Sequence, residues 1–145
     1  MKNQNSSFLG RPSVVLTAKQ IDNPRSILQT FANPAASRDY EIKFVFPEFT
    51  SLCPVTGQPD FATITIVYVP HRRCVEMKSL KLYFNSFRNQ GIFYESVINT
   101  ILDDLVAVLS PRKMTVTGEF AVRGGTAADV TAGYSRTGRS AARRG

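Results

Sequence analysis

The sequence has no run of apolar residues approaching the roughly 20 needed to cross a bilayer as a helix, so a membrane-spanning helix is excluded. Its soft metal ligands are few. Cys53 and Cys74 have no metal-ligand spacing, and the single histidine, His71, cannot complete a zinc site with them. Two cysteines do not make a disulfide framework, and a pairing between them is possible but not implied. The N-terminus shows no signal-peptide pattern. The expected setting is therefore a soluble protein of the reducing cytoplasm, where disulfides are rare.

The chain has 145 residues, a single-domain length able to bury about two thirds of its unfolded surface. Its 18 Lys and Arg against 11 Asp and Glu leave a net charge of +7, which favours anionic partners, either nucleic acid or a phosphate-rich cofactor. Four of those cations, Arg136, Arg139, Arg143 and Arg144, fall in the last ten residues with no acid among them. Part of the basicity is a tail effect.

Alternation and helical spacing divide the chain. Residues 1–38 are polar and punctuated by Pro12, Pro24 and Pro34, and read as an irregular N-terminal arm with a helical turn near Ser26 to Phe31. Tyr40, Ile42, Phe44 and Phe46 alternate with more polar neighbours, the two-residue period of a half-buried strand. A second strand, Phe61 to Val69, is β-branched and aromatic almost throughout and suggests an antiparallel partner. Pro70 to Arg73 marks a turn out of the sheet.

Leu80, Tyr83, Phe84 and Phe87 follow a helical period, with Ser79 as candidate cap and Gly91 as candidate stop. A clearer helix carries a stripe from Phe93 through Val97, Ile98, Ile101, Leu102 and Leu105 to Val108, with Asp103 and Asp104 assigned to its wet side, and ends at Ser110-Pro111. Met114 to Val122 alternates as a third strand up to Arg123-Gly124-Gly125, and a weaker strand spans Ala127 to Ala132. The order ββααββ predicts an α+β fold, an antiparallel sheet with two helices on one face. We read 39–134 as the folded domain and 135–145 as a basic tail, disordered from Gly133 onward.

Between the first two strands lies Pro47 to Phe61, read as a loop. Three prolines and Gly57 within fifteen residues fix its path, and it carries Cys53 and Asp60. Loops on a rigid scaffold commonly hold reactive groups. A thiolate attacks where a thiol does not, so a nucleophilic Cys53 needs a proton partner; Asp60 could share one proton with it, acting as acid. By residue type alone, the favoured reading is Cys53 as a small buried apolar residue and Asp60 as a turn residue, since free cysteine is commonly buried and inert.

Residues 48–64, Glu-Phe-Thr-Ser-Leu-Cys-Pro-Val-Thr-Gly-Gln-Pro-Asp-Phe-Ala-Thr-Ile, resemble the active-site segment of the NADPH-dependent 7-cyano-7-deazaguanine reductases, the nitrile reductases of tRNA queuosine biosynthesis. The similarity continues through Glu76-Met77-Lys78-Ser79-Leu80-Lys81-Leu82-Tyr83, Ser86-Phe87-Arg88-Asn89 and Arg123-Gly124-Gly125, covering roughly 39–134. It implies the tunnelling fold, with subunits closing side by side into a ring barrel, two stacked pentamers being one such assembly. The implied reaction reduces 7-cyano-7-deazaguanine to 7-aminomethyl-7-deazaguanine. Cys53 would form a thioimide with the nitrile, Asp60 would give the proton to nitrogen, and NADPH would give two hydrides.

The same resemblance implies a substrate site made by Val75, Glu76, Met77, Tyr94 and Glu95, and a cofactor site made by Met77, Lys78, Lys81, Arg123 and Gly124. Without it, Glu95 reads as a first-turn carboxylate favoured by the helix dipole, Lys78 and Lys81 as a wet face, and Arg123-Gly124-Gly125 as a turn or an RNA-binding box. Two positions depart from the family. Tyr94 stands where a histidine is usual, and Met77 where a serine or leucine is usual. A related amidinotransferase, which passes the thioimide to ammonia, would lack the cofactor residues. A basic nucleic-acid module would need basic residues interleaved with aromatics on one face, so no specific nucleic-acid partner is expected.

Overall fold

The structure, a computed structural model, describes residues 16–136. The arm before residue 16 and the basic tail from 137, with Arg139, Arg143 and Arg144, lie outside the described residues. In chain order the elements are α1 (Ala18–Asp22), a 3₁₀ turn (Pro24–Ile27), β1 (Thr30–Ala32), β2 (Ile42–Leu52), β3 (Pro59–Val69), β4 (Arg73–Val75), α2 (Met77–Asn85), α3 (Tyr94–Leu109), β5 (Lys113–Arg123) and β6 (Thr126–Ser135). No helix among the described residues is long and apolar enough to cross a membrane.

Four strands form the antiparallel sheet β2-β3-β5-β6, as the alternating sequences predict, and β1 pairs with β4 in a separate two-stranded sheet. Ile64, Ile66 and Tyr68 of β3 and Met114, Val116 and Phe120 of β5 point to one face. There α2 brings Leu80, Tyr83 and Phe84, and α3 brings Val97, Ile98, Ile101, Leu102, Leu105 and Leu109. The opposite face carries half-exposed threonines, including Thr63, Thr65, Thr115 and Thr117. Apolar burial on one face only is what a two-residue period dictates.

The stretch read as one loop is mostly strand. β2 continues to Leu52 and β3 starts at Pro59, so the connection is only 53–58. Pro47 misled because a proline interrupts a strand; here it sits at a β-bulge, where Phe46 faces Ile64 but Phe49 faces Ala62. The bulge changes which residues point inward: Ile42, Phe44 and Phe46 before it, Phe49, Ser51 and Cys53 after it.

Other expectations also change. The polar N-terminal segment is not irregular throughout. Thr17 and Gln20 cap α1 reciprocally, the helical turn expected near Ser26 to Phe31 is the 3₁₀ turn followed by β1, and Ile27 and Leu28 enter the core. Glu76, not Ser79, caps α2, accepting from the N–H groups of Lys78 and Ser79 at 2.8 and 2.7 Å. Gly91 does not stop α2, which ends at Asn85; a Cβ there would lie 3.3 Å from Pro54 Cα, so Gly91 lets the interhelical segment press against the 53–58 turn.

Arg73 opens β4 rather than closing a turn, and β6 runs to Ser135, so Gly133 to Ser135 are ordered in the sheet. Phe93 leaves the apolar stripe and is exposed, while Asp104 joins the buried face. Asp104 is compensated there by Arg25 at 2.9 Å and by the Tyr83 hydroxyl at 2.7 Å.

α3 rests on the sheet where β5 has no side chain. A Cβ on Gly118 would meet Ile98 Cδ1 at 2.5 Å and Phe120 Cε2 at 2.9 Å. Gly118→Ala should therefore destabilise the fold by about 1–3 kcal/mol through overpacking. A urea unfolding midpoint unchanged from wild type would show that the helix yields freely.

Candidate active site

The β2–β3 hairpin sets Ser51 opposite Asp60 and Leu52 opposite Pro59, so Cys53 and Asp60 emerge at the same end of the helix-covered face. The connecting turn is closed by Cys53 N–H donating to Gln58 O and Gly57 N–H donating to Cys53 O, both at 2.8 Å. Gly57 takes φ +71°, a conformation other residues rarely adopt. The segment between α2 and α3 locks on beside it: Leu52 N–H donates to Gln90 O at 2.8 Å and Ile92 N–H to Leu52 O at 3.0 Å. That clamp brings the start of α3 to the turn.

A cavity of about 200 Å³ results, lined by Cys53, Asp60, Tyr94, Glu95 and Arg123 with Pro54, Ile92 and Phe93. Cys53 and Asp60 are 7% and 4% exposed, enough to be reached from the cavity alone. Arg123 arrives from the end of β5, where Gly124 and Gly125, with φ +60° and +77°, make the tight turn into β6. One Arg123 nitrogen lies 3.1 Å from Asp60 Oδ1. The Tyr94 hydroxyl donates to the same oxygen at 3.0 Å, and its ring stacks on Phe120 at 3.8 Å between centroids. Both groups engage Oδ1.

The surroundings of Cys53 favour its thiolate. The Thr56 hydroxyl, the backbone N–H groups of Thr56 and Val55 and the Arg123 guanidinium all donate to its sulfur, outweighing burial and lowering the thiol to about 6. The sequence reading lacked this nest of donors, because a turn of ordinary residues gives no sign of which N–H groups will converge. Burial, then the bond to Asp60, pushes the Tyr94 phenol above its usual range. Tyr94 is thus a hydrogen-bond donor that keeps its proton.

A family model described as "QueF-like protein" matches residues 59–139. The chain belongs to the QueF-like family. A protein of Nitrosococcus oceani named NADPH-dependent 7-cyano-7-deazaguanine reductase is 58% identical over 115 residues, 79% of this chain and 89% of that one. Proteins with the same name from Anaeromyxobacter sp. (strain K) and Thermomicrobium roseum are 62% identical over 109 residues and 57% over 120. Those alignments cover 75% and 83% of this chain, and 89% and 94% of the relatives. The crystal structure of the archaeosine synthase QueF-Like in the apo form matches at TM-score 0.58, covering 66% of this chain and 91% of that one. At 21% identity it shows a shared fold, in keeping with the α+β tunnelling architecture read from the sequence.

The residues that the family resemblance singles out fall into two groups. Cys53, Asp60, Tyr94, Glu95 and Arg123 share the cavity. Val75, Glu76, Met77, Lys78 and Lys81 do not line it. Val75 is buried with its N–H donating to Tyr68 Oη at 3.1 Å, and both Glu76 oxygens cap α2. Met77, Lys78 and Lys81 are exposed. Arg123, expected at the cofactor, lies against Cys53 and Asp60, and Gly124 stands in the β5–β6 turn.

Alkylation of Cys53 by iodoacetamide should reach half its limiting rate near pH 6, because the lowered thiol is already thiolate above that point. Arg123→Gln should move the midpoint upward. A wild-type midpoint near pH 8.5 would mean that the nest does not hold the thiolate.

Proposed function

We propose that this chain reduces the nitrile of 7-cyano-7-deazaguanine to the aminomethyl group, with Cys53 as nucleophile and Asp60 as acid. The single observation carrying this reading is the Cys53–Arg123–Asp60 arrangement, a stabilised thiolate and a carboxyl lining one small cavity. The thiolate adds to the electrophilic nitrile carbon, forming the C–S bond while one C–N π bond takes a proton at nitrogen. Asp60, held at Oδ1 by Tyr94 and Arg123, is the acid that delivers it in this reading. Reduction at carbon then breaks the C–S bond and returns the thiolate to its nest. Glu95, exposed on the first turn of α3 at the cavity mouth, offers a carboxylate to the N–H edge of a guanine-like ring.

The exposed ammonium groups of Lys78 and Lys81 on α2 fit the phosphates of NADPH. When bound, that cofactor supplies the two hydrides of the balance R–C≡N + 2 NADPH + 2 H⁺ → R–CH₂–NH₂ + 2 NADP⁺. Val75 to Lys81 do not line this cavity in one chain, and a second copy would bring them to it. Val55, Phe61, Phe93 and Val122, all 56% exposed or more, support that reading: Phe93 lines the cavity, and the others lie on or beside the strand ends that form it. Side-by-side closure into a ring gives such a surface its partner. Two free cysteines suit the cytoplasm, where thiols stay reduced.

Loss of NADPH absorbance on adding 7-cyano-7-deazaguanine tests the proposal. About two NADPH should be consumed per nitrile, with none in Cys53→Ala, and Asp60→Asn should slow covalent capture by roughly 100-fold or more. A mass adduct on Cys53 without NADPH oxidation would instead favour thioimide chemistry with another acceptor. Tyr94→Phe should lower kcat about tenfold with little change in KM, since it frees Asp60 without touching the thiolate nest; an equal loss confined to KM would make Tyr94 a substrate contact.

A further inference from the structure

At the far end of β3, about 30 Å along the strand from Asp60, two further cavities adjoin. One, of about 460 Å³, is walled by His71, Arg72, Arg73, Arg136 and the end of α3. The other, of about 480 Å³, is walled by Asp39, His71, Arg112, Lys113, Ser135 and Arg136. His71 and Arg136 line both. Five of the lining residues are Arg or Lys and one is acidic, and that acid, Asp39, is already taken by Arg112 at 2.7 Å.

Arg112 is a strut. Its guanidinium also donates to Arg38 O at 3.1 Å and Ala36 O at 2.6 Å. Arg73 donates to Thr30 Oγ1 at 3.2 Å. The guanidinium groups of Arg72 and Arg136 make no salt bridge or side-chain hydrogen bond among the described residues. Between them His71, whose carbonyl is pinned by Asn33 Nδ2 at 2.7 Å, holds a buried Nδ1 with no hydrogen-bond partner. The carbonyl end of α3 offsets about half a charge at the first cavity, which leaves most of the positive field uncompensated. Like charges gathered without a counter-charge cost free energy that a bound anion returns.

We infer that this His71 pocket is an anion site for a phosphoryl group, with Arg72 and Arg136 as its cationic ligands and the His71 imidazole as a third donor. A phosphoryl group offers several acceptor oxygens to guanidinium forks and imidazole together. The volumes admit a nucleotide as well as free phosphate. Burial and the Arg136, Arg112 and Arg72 charges hold His71 below its usual pKa, so it is neutral at pH 7. An anion among the three guanidiniums reverses that field and draws a proton onto the ring.

His71 is the chain's single histidine, so its ring C–H resonances in the untagged full chain report the site alone. Titrated by NMR at fixed ionic strength, its midpoint should rise by about one pH unit when chloride is replaced by saturating inorganic phosphate or ADP. A response to ADP at tenfold lower concentration than to phosphate would assign a nucleotide, and equal responses would assign free phosphate. The shift should vanish in Arg72→Gln/Arg136→Gln, with the dispersed spectrum retained as the check on folding. A wild-type midpoint unmoved by tens of millimolar phosphate and ADP overturns the site whatever the variant does.

Discussion

Ile98 comes within 2.5 Å of where a side chain on Gly118 would begin, and that approach sets the height of α3 above the sheet. Everything around the Cys53 cavity inherits it. With α3 seated on β5, its first residue, Tyr94, lies flat against Phe120 two positions along the same strand, and from there its hydroxyl reaches Asp60. The strand that supplies the gap also supplies Arg123 five residues past Gly118. Packing and chemistry are therefore not separable here, because one strand positions the helix, the phenol and the guanidinium together.

The lowered thiol of Cys53 depends on a different kind of order. Its donors are backbone N–H groups, one hydroxyl and one guanidinium, and the backbone groups come from a turn of six residues held at both ends by the sheet. Such donors need no reorganisation when charge appears, since the fold has already fixed their direction. Arg123 lies against both the Cys53 sulfur and Asp60, so one guanidinium serves the two side chains. Tyr94 adds a neutral donor to the same carboxylate oxygen without adding charge.

Much of this was legible in the sequence, for reasons that can be named. Strand alternation over 61–69 and 114–122 and the helical stripe from Val97 to Leu105 are periodic signals long enough to survive local exceptions, and they give the sheet and the helix that covers it. Cys53 and Asp60 stood out through a long contiguous resemblance. What stayed hidden depends on contacts between distant segments. Asp104 reads as a wet-face residue until Arg25, seventy-nine positions earlier, and Tyr83 are brought to it. Ser79 looks like a cap because its type suits the role, but Glu76 three residues earlier takes it with both oxygens. Pro47 looks like a loop marker because nothing local distinguishes a strand's end from a strand's irregularity. The basic pocket around His71 is assembled from four separate stretches and has no linear signature at all.

The irregularity at Pro47 and Glu48 has the largest effect for its size. Side chains along a strand alternate with strict parity, and Phe44 and Phe46 set that parity as even on the covered face. Carried on unbroken, it would turn position 53 outward, to the side of the sheet away from Asp60. One supernumerary residue resets the count to odd, so that Phe49, Ser51 and Cys53 turn inward together. Cys53 thus owes its orientation to a spatial frameshift some five residues upstream.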